Sequence, residues 1–331
     1  AQESILAGLN DLIAEIEGKN FEGSTLPGYY SVANVDSLNK TLAKAKNLGE
    51  STTEEKLAVL NELKSIYAAT ITKLNPIVEG YYYIVNKCDA YKQKFSQPAA
   101  MYVSGEKISD DDESLSSVRF ETFDENNAYF IFKLTPKEGV ENGFDAYSPY
   151  TERYLNTGNG NNWYGEDLTA STTAKNAQLF KNYGLGQYWI ADETDTRVSR
   201  CIRISSNQAK NGRIFGWTQL ADQIPADRTG YNAWELIPLT DEAAAQIMQK
   251  QEEIDNIVGT KYEELCDYVD DIQATYDSYV DEASELSEEI KTALKQGYKK
   301  FTDARSSYPY DITSTAEDYE HIKQNLEELM E

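Results

Sequence analysis

The chain has 331 residues, of which 40% are hydrophobic and 26% are charged, and this composition is typical of folded globular proteins. Its length predicts roughly two domains. The net charge of −25 repels phosphate backbones and anionic lipid headgroups, which argues against nucleic acids and membrane surfaces as partners. No apolar stretch approaches the roughly 20 residues that cross a bilayer, so membrane insertion is not expected.

Histidine and cysteine are too scarce for the commonest catalytic and metal-binding arrangements. His321 is the single histidine, which argues against triads and multi-histidine zinc sites. The three cysteines, Cys88, Cys201 and Cys266, contain no Cys-x-x-Cys pair. The sequence therefore disfavours an enzyme and predicts no catalytic residue, metal ligand or cofactor. A single Cys88–Cys201 bridge and two buried free thiols both remain open.

Apolar residues at helical spacing predict three helices within residues 1–76. The second helix is predicted to begin at an Asp36 cap. The third is predicted to begin at a capping box, Ser51-x-x-Glu54, and to end before Pro76. The apolar stripes consist of Ile5, Leu9, Leu12 and Ile16, then Leu38, Leu42 and Leu48, then Leu57, Leu60, Leu63 and Ile66. Short amphipathic helices joined by short loops predict an antiparallel bundle.

Residues 77–239 have a different composition and contain a threefold repeat. All four tryptophans (Trp163, Trp189, Trp217 and Trp234) and twelve of the nineteen glycines lie in this zone. An Asn-Ala pair precedes a strand-like run three times, with spacings of 49 and 56 residues. The three pairs are Asn127-Ala128, Asn176-Ala177 and Asn232-Ala233. Short runs rich in aromatic residues fall into the same phase, which predicts four strands in each of three units.

Residues 240–331 are predicted to be helical again and carry most of the acidity. Their net charge is −16, against −3 for residues 1–76 and −6 for the middle zone. A long helix is predicted from Asp241, with a kink at Gly259, and two shorter helices follow. The last is predicted to begin at Ser314-x-x-Glu317. The acidic faces are interpreted as solvated surface, and a protein partner on them remains open.

The three units resemble the β-trefoil of the ricin B-type lectins over about residues 79–240. That family typically has Gln-x-Trp in the last strand of each unit. The corresponding residues here are Gln178-x-Phe180, Ala128-x-Phe130 and Ala233-x-Glu235. The resemblance implies a mixed α+β protein with a central all-β β-trefoil of three four-strand units, flanked by N- and C-terminal α-helical bundles.

The N-terminal segment also resembles the FIVAR type of three-helix module. The residues that carry this resemblance are Leu38-x-x-x-Leu42, the helix start at Thr52 and the Leu57 to Ile66 stripe. The predicted domains are 1–76, 77–239 and 240–331. Since a closed trefoil brings its own ends together, the two helical regions are predicted to leave it close to each other and to pack as one bundle.

The trefoil resemblance implies sugar sites in its second and third units. A pyranose needs flat aromatic surfaces and polar side chains that bind adjacent hydroxyls. The candidate residues are Asp145, Asn161, Trp163 and Tyr164 in unit two, and Asp192 and Trp217 in unit three. The alternative is that Trp163 and Trp217 fill the apolar core, since tryptophan is usually mostly buried.

Calcium binding and glycoside hydrolysis are two further possibilities for the acidic residues, and neither is predicted. Residues 110–113 are all acidic and could bind calcium, but they lack the ligand spacing and the glycine of a calcium loop, which favours a solvated acidic loop. Paired carboxylates for glycoside hydrolysis meet in space and not in sequence, so the abundance of acidic residues does not predict them.

Together, these resemblances imply non-catalytic carbohydrate or glycoconjugate binding by a secreted, periplasmic or cell-surface bacterial protein. The chain begins Ala1-Gln2-Glu3, which is expected of a removed signal peptide or a trimmed start, and its helical pattern still runs at Glu331. Two alternatives remain. One is a structural or adhesive module that binds protein without sugar, and the other is an accessory region of a larger glycan-degrading enzyme.

Overall fold

A computed structural model gives the architecture of most of the chain. It describes residues 2–19, 21–86, 100–107, 115–120, 127–156, 166–167, 169–171, 173–174, 177–182, 186–192, 200–204, 214–218 and 234–331. For residues 100–101, 115–120, 166–167, 169–171, 192, 200–204 and 214–218 the structure describes the backbone alone.

Three helices form the N-terminal region, as predicted. They are α1 (Gln2–Glu17), α2 (Val32–Lys46) and α3 (Thr53–Thr72), and two short parallel strands, β1 (Gly23–Ser24) and β2 (Tyr30–Ser31), lie between α1 and α2. Their core consists of Leu9, Leu12, Ile16, Leu38, Ala45, Val59, Leu60, Leu63 and Tyr67. Most of the predicted apolar stripe residues therefore face one another.

The predicted starts of α2 and α3 were wrong by five residues and one residue, respectively. Helix α2 begins at Val32, not after Asp36, because Ser31 Oγ accepts a hydrogen bond from the amide of Asn34 at 3.2 Å. In α3 the capping box joins Thr52 and Glu55, one residue later than predicted. In both places a nearby hydroxyl satisfies the free amides of the first turn.

Thirteen described strands follow α3. They are β3 (Gly80–Asn86), β4 (Ala100–Lys107), β5 (Leu115–Phe120), β6 (Ile131–Pro136), β7 (Gly143–Ser148), β8 (Arg153–Asn156), β9 (Glu166–Asp167), β10 (Thr169–Ser171), β11 (Gln178–Asn182), β12 (Tyr188–Asp192), β13 (Arg200–Ile204), β14 (Ile214–Thr218) and β15 (Glu235–Leu239). A short 3₁₀ helix, Ala128–Phe130, precedes β6.

Six of these strands close into an antiparallel barrel. The ladder runs from β3 to β6, then β7, β11 and β12, and β15 pairs back with β3. A two-way backbone contact between Tyr188 and Trp234 joins β12 to β15, with N···O distances of 2.7 and 3.1 Å. Closure leaves the ring without free strand edges, which would otherwise attract other chains.

Each of the three predicted units also contributes a hairpin outside the ring. Strand β4 pairs with β5, β8 with β10, and β13 with β14, and β14 also pairs with β9. Two barrel strands and one hairpin per unit make the four-strand, threefold plan of a β-trefoil. The predicted fold class, a central trefoil with helices on both sides, is confirmed.

The barrel interior is filled by one cluster of apolar side chains. It consists of Tyr82, Ile84, Val103, Phe132, Leu134, Phe144, Ala146, Leu155, Phe180, Tyr188, Ile190, Trp234 and Leu236. All three units contribute to it. Trp234, which follows the third Asn-Ala pair, is completely buried in this cluster, and Trp189 on β12 is also buried.

Three helices form the C-terminal region: α4 (Asp241–Val280), α5 (Glu288–Ser307) and α6 (Ala316–Met330). Helix α4 runs without a break through Gly259. The capping box of α6 joins Thr315 and Asp318, one residue after the predicted pair. The core of this region consists of Leu265, Val269, Phe301, Tyr319 and Leu326. No helix in the described part of the chain is both long enough and apolar enough to cross a bilayer.

Both helical regions contact the barrel. Ala244 and Ile247 of α4 share an apolar cluster with residues of β3, β4 and β6. On the N-terminal side, the Gly186 amide donates to the Gly28 carbonyl at 3.1 Å. Gly186 has a φ of 71°, and a Cβ there would collide with the ring of Tyr29, so only glycine fits this contact. The division into domains at residues 76 and 240, and the packing of the two helical regions on each other, stay predictions.

Candidate functional site

The outer surface of unit two carries polar and aromatic side chains in a regular pattern. Along β7, Phe144, Ala146 and Ser148 are buried, whereas Asp145 and Tyr147 are partly exposed. This alternation follows from the pleat of a strand, which sends successive side chains to opposite faces. Asp145, the single predicted sugar-site residue whose side chain is described, therefore lies on the solvent face of the barrel.

The carboxylate of Asp145 forms an ion pair but remains accessible to solvent. Its Oδ1 lies 3.3 Å from Nζ of Lys137, and its side chain remains 26% exposed. Lys137 follows β6, and its amide donates to the Gly143 carbonyl across the β6–β7 turn at 2.9 Å. Thr135 lies directly opposite Asp145 on β6. A hydroxyl and a carboxylate thus lie side by side at the open surface.

Two tyrosines continue this surface along β7 and β8. Tyr147 and Tyr154 are directly opposite, with ring centroids 4.7 Å apart and planes inclined at 44°. Lys133 faces Tyr147 from the other side, on β6, and its Nζ is 3.5 Å from the Glu79 carboxylate. Partial burial raises the pKa of Tyr147, and the negative charge of Glu152 raises it further. Its phenol therefore stays protonated at neutral pH. We call Lys133, Thr135, Asp145, Tyr147 and Tyr154 the tyrosine face.

The other predicted site residues have no described side chain. Asn161, Trp163 and Tyr164 lie outside the described residues. Asp192 ends β12 opposite Gln178, and Trp217 lies on β14 opposite Cys201. Whether Trp163 and Trp217 bind ligand or fill the core stays a prediction.

Most of the residues predicted to bind metal or to form a disulfide lie outside the part of the chain that the structure describes. Residues 110–113 and Cys88 lie outside it, so the acidic loop and the Cys88–Cys201 bridge stay predictions. Cys266, on α4, is a free, partly buried thiol. Within the described ranges, no group of three histidine, cysteine or carboxylate side chains is placed to hold a metal ion.

Three residues of this surface were not predicted as site residues from the sequence: Lys133, Tyr147 and Tyr154. The alternation of β7 was visible in the sequence and would have placed Tyr147 on the same face as Asp145. The position of Tyr154 opposite Tyr147 depends on the register between β7 and β8. That register is known from the structure alone.

A second polar cluster, the Asp255 network, joins helix α4 to the barrel. Oδ2 of Asp255 accepts hydrogen bonds from the hydroxyls of Tyr129 and Tyr150, each at 2.6 Å. Its Oδ1 accepts one from Gln251 Nε2 at 2.8 Å. The two tyrosine rings meet edge to face at 5.0 Å. Burial and the hydrogen bond to Asp255 raise the pKa of both tyrosines far above their usual range.

Beside this network lies an open cleft of 620 Å³, which we call the junction cleft. Helix α4, the turn before α6 and the segment before β6 enclose it. Its described lining residues are Asn127, Tyr129, Gln251, Ile254, Asp255, Ile257, Val258, Tyr308, Pro309, Asp311, Ile312, Thr313, Ser314, Thr315, Ala316, Glu317 and Tyr319. The ring of Tyr308 is stacked on that of Tyr262 at 3.8 Å, which fixes this wall.

The buried tyrosines predict a loss of stability in alkaline solution. Burial raises the pKa of Tyr102 to about 12 and those of Tyr129, Tyr150 and Tyr188 further. In the unfolded chain they ionise near pH 10, so above about pH 10 the folded state binds more protons than the unfolded state. Stability is therefore expected to fall as the pH rises from about 10 towards the folded values, and not below.

The measurement is urea unfolding at about pH 8, 9.5 and 11, with absorbance at 295 nm to follow tyrosinate. The ionisation of the buried tyrosines should coincide with the loss of structure. Equal unfolding midpoints at pH 8 and 11 would contradict the expected effect of burial.

No protein-family model matches this chain. A search of curated proteins finds no match either. Among solved structures, ThreeFoil, a designed threefold-symmetric protein, is similar over 49% of this chain and 100% of its own, with a TM-score of 0.35 and 10% identity. A Polyporus squamosus lectin, bound in its crystal structure to the epitope Neu5Aca2-6Galb1-4GlcNAc, covers 49% of this chain and 50% of its own, with the same TM-score and identity.

Proposed function

We propose that this protein binds carbohydrate without catalysis, through the outer surface of unit two. The observation that carries the proposal is the tyrosine face, where a carboxylate oriented by Lys137 and two partly exposed tyrosine rings share one surface of a closed barrel. We also propose that the trefoil is of the ricin B type and that the N-terminal helices form a FIVAR-like module. The protein would be secreted or located at the cell surface, and its helices would act as spacers.

The tyrosine face has the two kinds of group that sugar recognition needs. The rings of Tyr147 and Tyr154 offer apolar surface to the C–H groups of a pyranose, and their hydroxyls donate or accept hydrogen bonds. The carboxylate of Asp145 accepts from two adjacent sugar hydroxyls, and Lys137 fixes its orientation. Asn161, Trp163 and Tyr164 would extend the same unit-two site, and Asp192 with Trp217 would form a second site.

The experiment is a broad glycan array with the full chain, with and without calcium, followed by titration of the glycans that bind. Tyr154→Ala and Asp145→Asn are each expected to weaken binding at least about tenfold, because central aromatic and charged contacts contribute about 1.4 kcal/mol or more. Trp163→Ala and Trp217→Ala test the unit-two extension and the unit-three site separately.

Tyr279→Ala is the matched control, since Tyr279 is a partly exposed tyrosine on α4, far along the chain from the barrel. It should leave glycan binding unchanged. No binding on the array, or binding that survives both Tyr154→Ala and Asp145→Asn, would overturn the proposed site. The first result would favour a protein-binding role for the trefoil.

A further inference from the structure

The junction cleft has charge of one sign. Among the described residues that line it, the charged ones are Asp255, Asp311 and Glu317, and all three are acidic. Apart from Asn127 and Tyr129, its described lining residues belong to the most acidic part of the chain, residues 240–331, with a net charge of −16. Field lines from like charges are concentrated in a cleft with low-dielectric walls, which raises the local concentration of cations.

The two aspartates of the cleft are satisfied by neutral donors. Asp255 accepts from two tyrosines and a glutamine, and Asp311 accepts from the amide of Thr313 at 3.0 Å and the hydroxyl of Ser314 at 2.9 Å. Burial of Asp311 opposes its ionisation, but these hydrogen bonds outweigh burial and lower its pKa. It therefore keeps its charge well below neutral pH.

No ion pair within the described ranges includes Asp255 or Asp311, and the partner of Glu317 is His321, at 3.7 Å and charged only when protonated. Neutral donors orient a carboxylate but do not cancel its charge. The cleft consequently carries negative charge that nothing in its described walls balances.

The rest of the cleft is apolar and aromatic. Ile254 and Ile257, which line the cleft, are 40% and 58% exposed. Tyr308 and Pro309 line the same cleft. The neighbouring turn residue, Tyr310, already has a lysine ammonium of the same chain near its ring, with Nζ of Lys107 at 5.2 Å from the centroid.

We propose that the junction cleft binds a basic peptide segment of a partner protein, with a lysine or arginine side chain in the cleft and an apolar neighbour against Ile257. A lysine combines an apolar stem with a cationic head, which matches aliphatic walls and a negative interior. A volume of 620 Å³ is in the range of cavities that accept ligands, and is large enough for one or two side chains. The site is independent of the tyrosine face.

The test uses the full chain and three immobilised, amidated peptides of sequence Gly-Leu-Xaa-Leu-Gly, in which Xaa is lysine, glutamine or glutamate. Biolayer interferometry is expected to show binding to the lysine peptide, at least about tenfold weaker binding to the glutamine peptide and none to the glutamate peptide. Raising the sodium chloride concentration from about 50 to 500 mM should weaken binding of the lysine peptide, because the Debye length falls severalfold and the charges are screened.

Two matched pairs of variants locate the binding. Glu317 and Glu289 both occupy the second position of a helix, α6 and α5, but Glu317 alone lines the cleft. Glu317→Gln is expected to weaken binding of the lysine peptide about two- to fivefold, which is the contribution of an exposed ion pair. Glu289→Gln is expected to leave this binding unchanged. In the second pair, Ile257→Ser should weaken binding about threefold or more, and Ile290→Ser, also at an exposed isoleucine, should not.

All four substitutions are on exposed helix surfaces, and equal urea midpoints would show that they fold normally. Equal binding of the lysine and glutamine peptides would overturn the proposal. So would equal effects of the cleft variants and their controls. Glycan binding is measured on the same samples, so a failure here is distinguishable from a failure of the proposed function.

Discussion

Replacing Trp234 by alanine is expected to lower the free energy of unfolding of the barrel by about 3–5 kcal/mol, the usual cost of deleting a buried aromatic side chain. Trp234 is completely buried in the cluster to which all three units contribute. Its backbone also makes both hydrogen bonds that join β12 to β15. The cavity would therefore form at the place where the ring closes, which among the described residues is the backbone bridge between Tyr188 and Trp234.

Two spectroscopic signals separate the barrel from the helices in this experiment. All four tryptophans lie between residues 77 and 239, so tryptophan fluorescence reports on the trefoil, and circular dichroism at 222 nm reports mainly on the helices. Urea unfolding of Trp234→Ala should show an early fluorescence transition from the three remaining tryptophans. Trp234→Phe, which keeps an aromatic ring, should lose less stability. A loss below about 1 kcal/mol for the alanine variant would contradict the core position of this residue.

Asp255→Ala is expected to separate the unfolding of the barrel from that of helix α4, with a loss of about 2–4 kcal/mol. Hydrogen bonds to a charged group contribute about 1.5–3 kcal/mol each, and removal of Asp255 leaves the hydroxyls of Tyr129 and Tyr150 in a half-buried junction without their acceptor. In the wild-type protein the two transitions should coincide, because α4 belongs to both the barrel interface and the C-terminal core.

Asp270→Ala is the matched control, since Asp270 is an exposed aspartate on the same helix. It should leave both transitions in place. Asp255→Asn keeps the shape and one acceptor but removes the charge, so it should fall between the wild type and the alanine variant. Coincident transitions in Asp255→Ala, with a loss below about 0.5 kcal/mol, would show that the network does not couple the two regions.

The helices were predictable because their information is local. Apolar residues at every third or fourth position identified α1 to α6, and these stripes became the cores of the two helical regions. Their starts were less predictable. Adjacent hydroxyl residues at Ser51 and Thr52, and again at Ser314 and Thr315, can each cap a helix, and the backbone geometry of the turn selects one of them.

The threefold strand plan was also predictable, because the repeat marks equivalent strands in the sequence. The residues of the candidate site were less predictable. Asp145 was inferred from the family resemblance, and its exposure follows from the alternation of β7. Its association with Tyr154 depends on strand register, which a repeat does not define.

The sequence by itself determined the elements of this protein, since helical periodicity, strand alternation and the repeat all depend on residues close together in the chain. The tertiary structure alone decided the register of the strands and how helix α4 meets the barrel. Tyr154 lies opposite Tyr147, and Asp255 of α4 reaches Tyr129 and Tyr150, which are 126 and 105 residues away. Such contacts result from aligning strands and from packing a helix against the barrel. Long-range geometry of this kind leaves no periodic signal in the chain, and it is what forms the Asp255 network and the junction cleft.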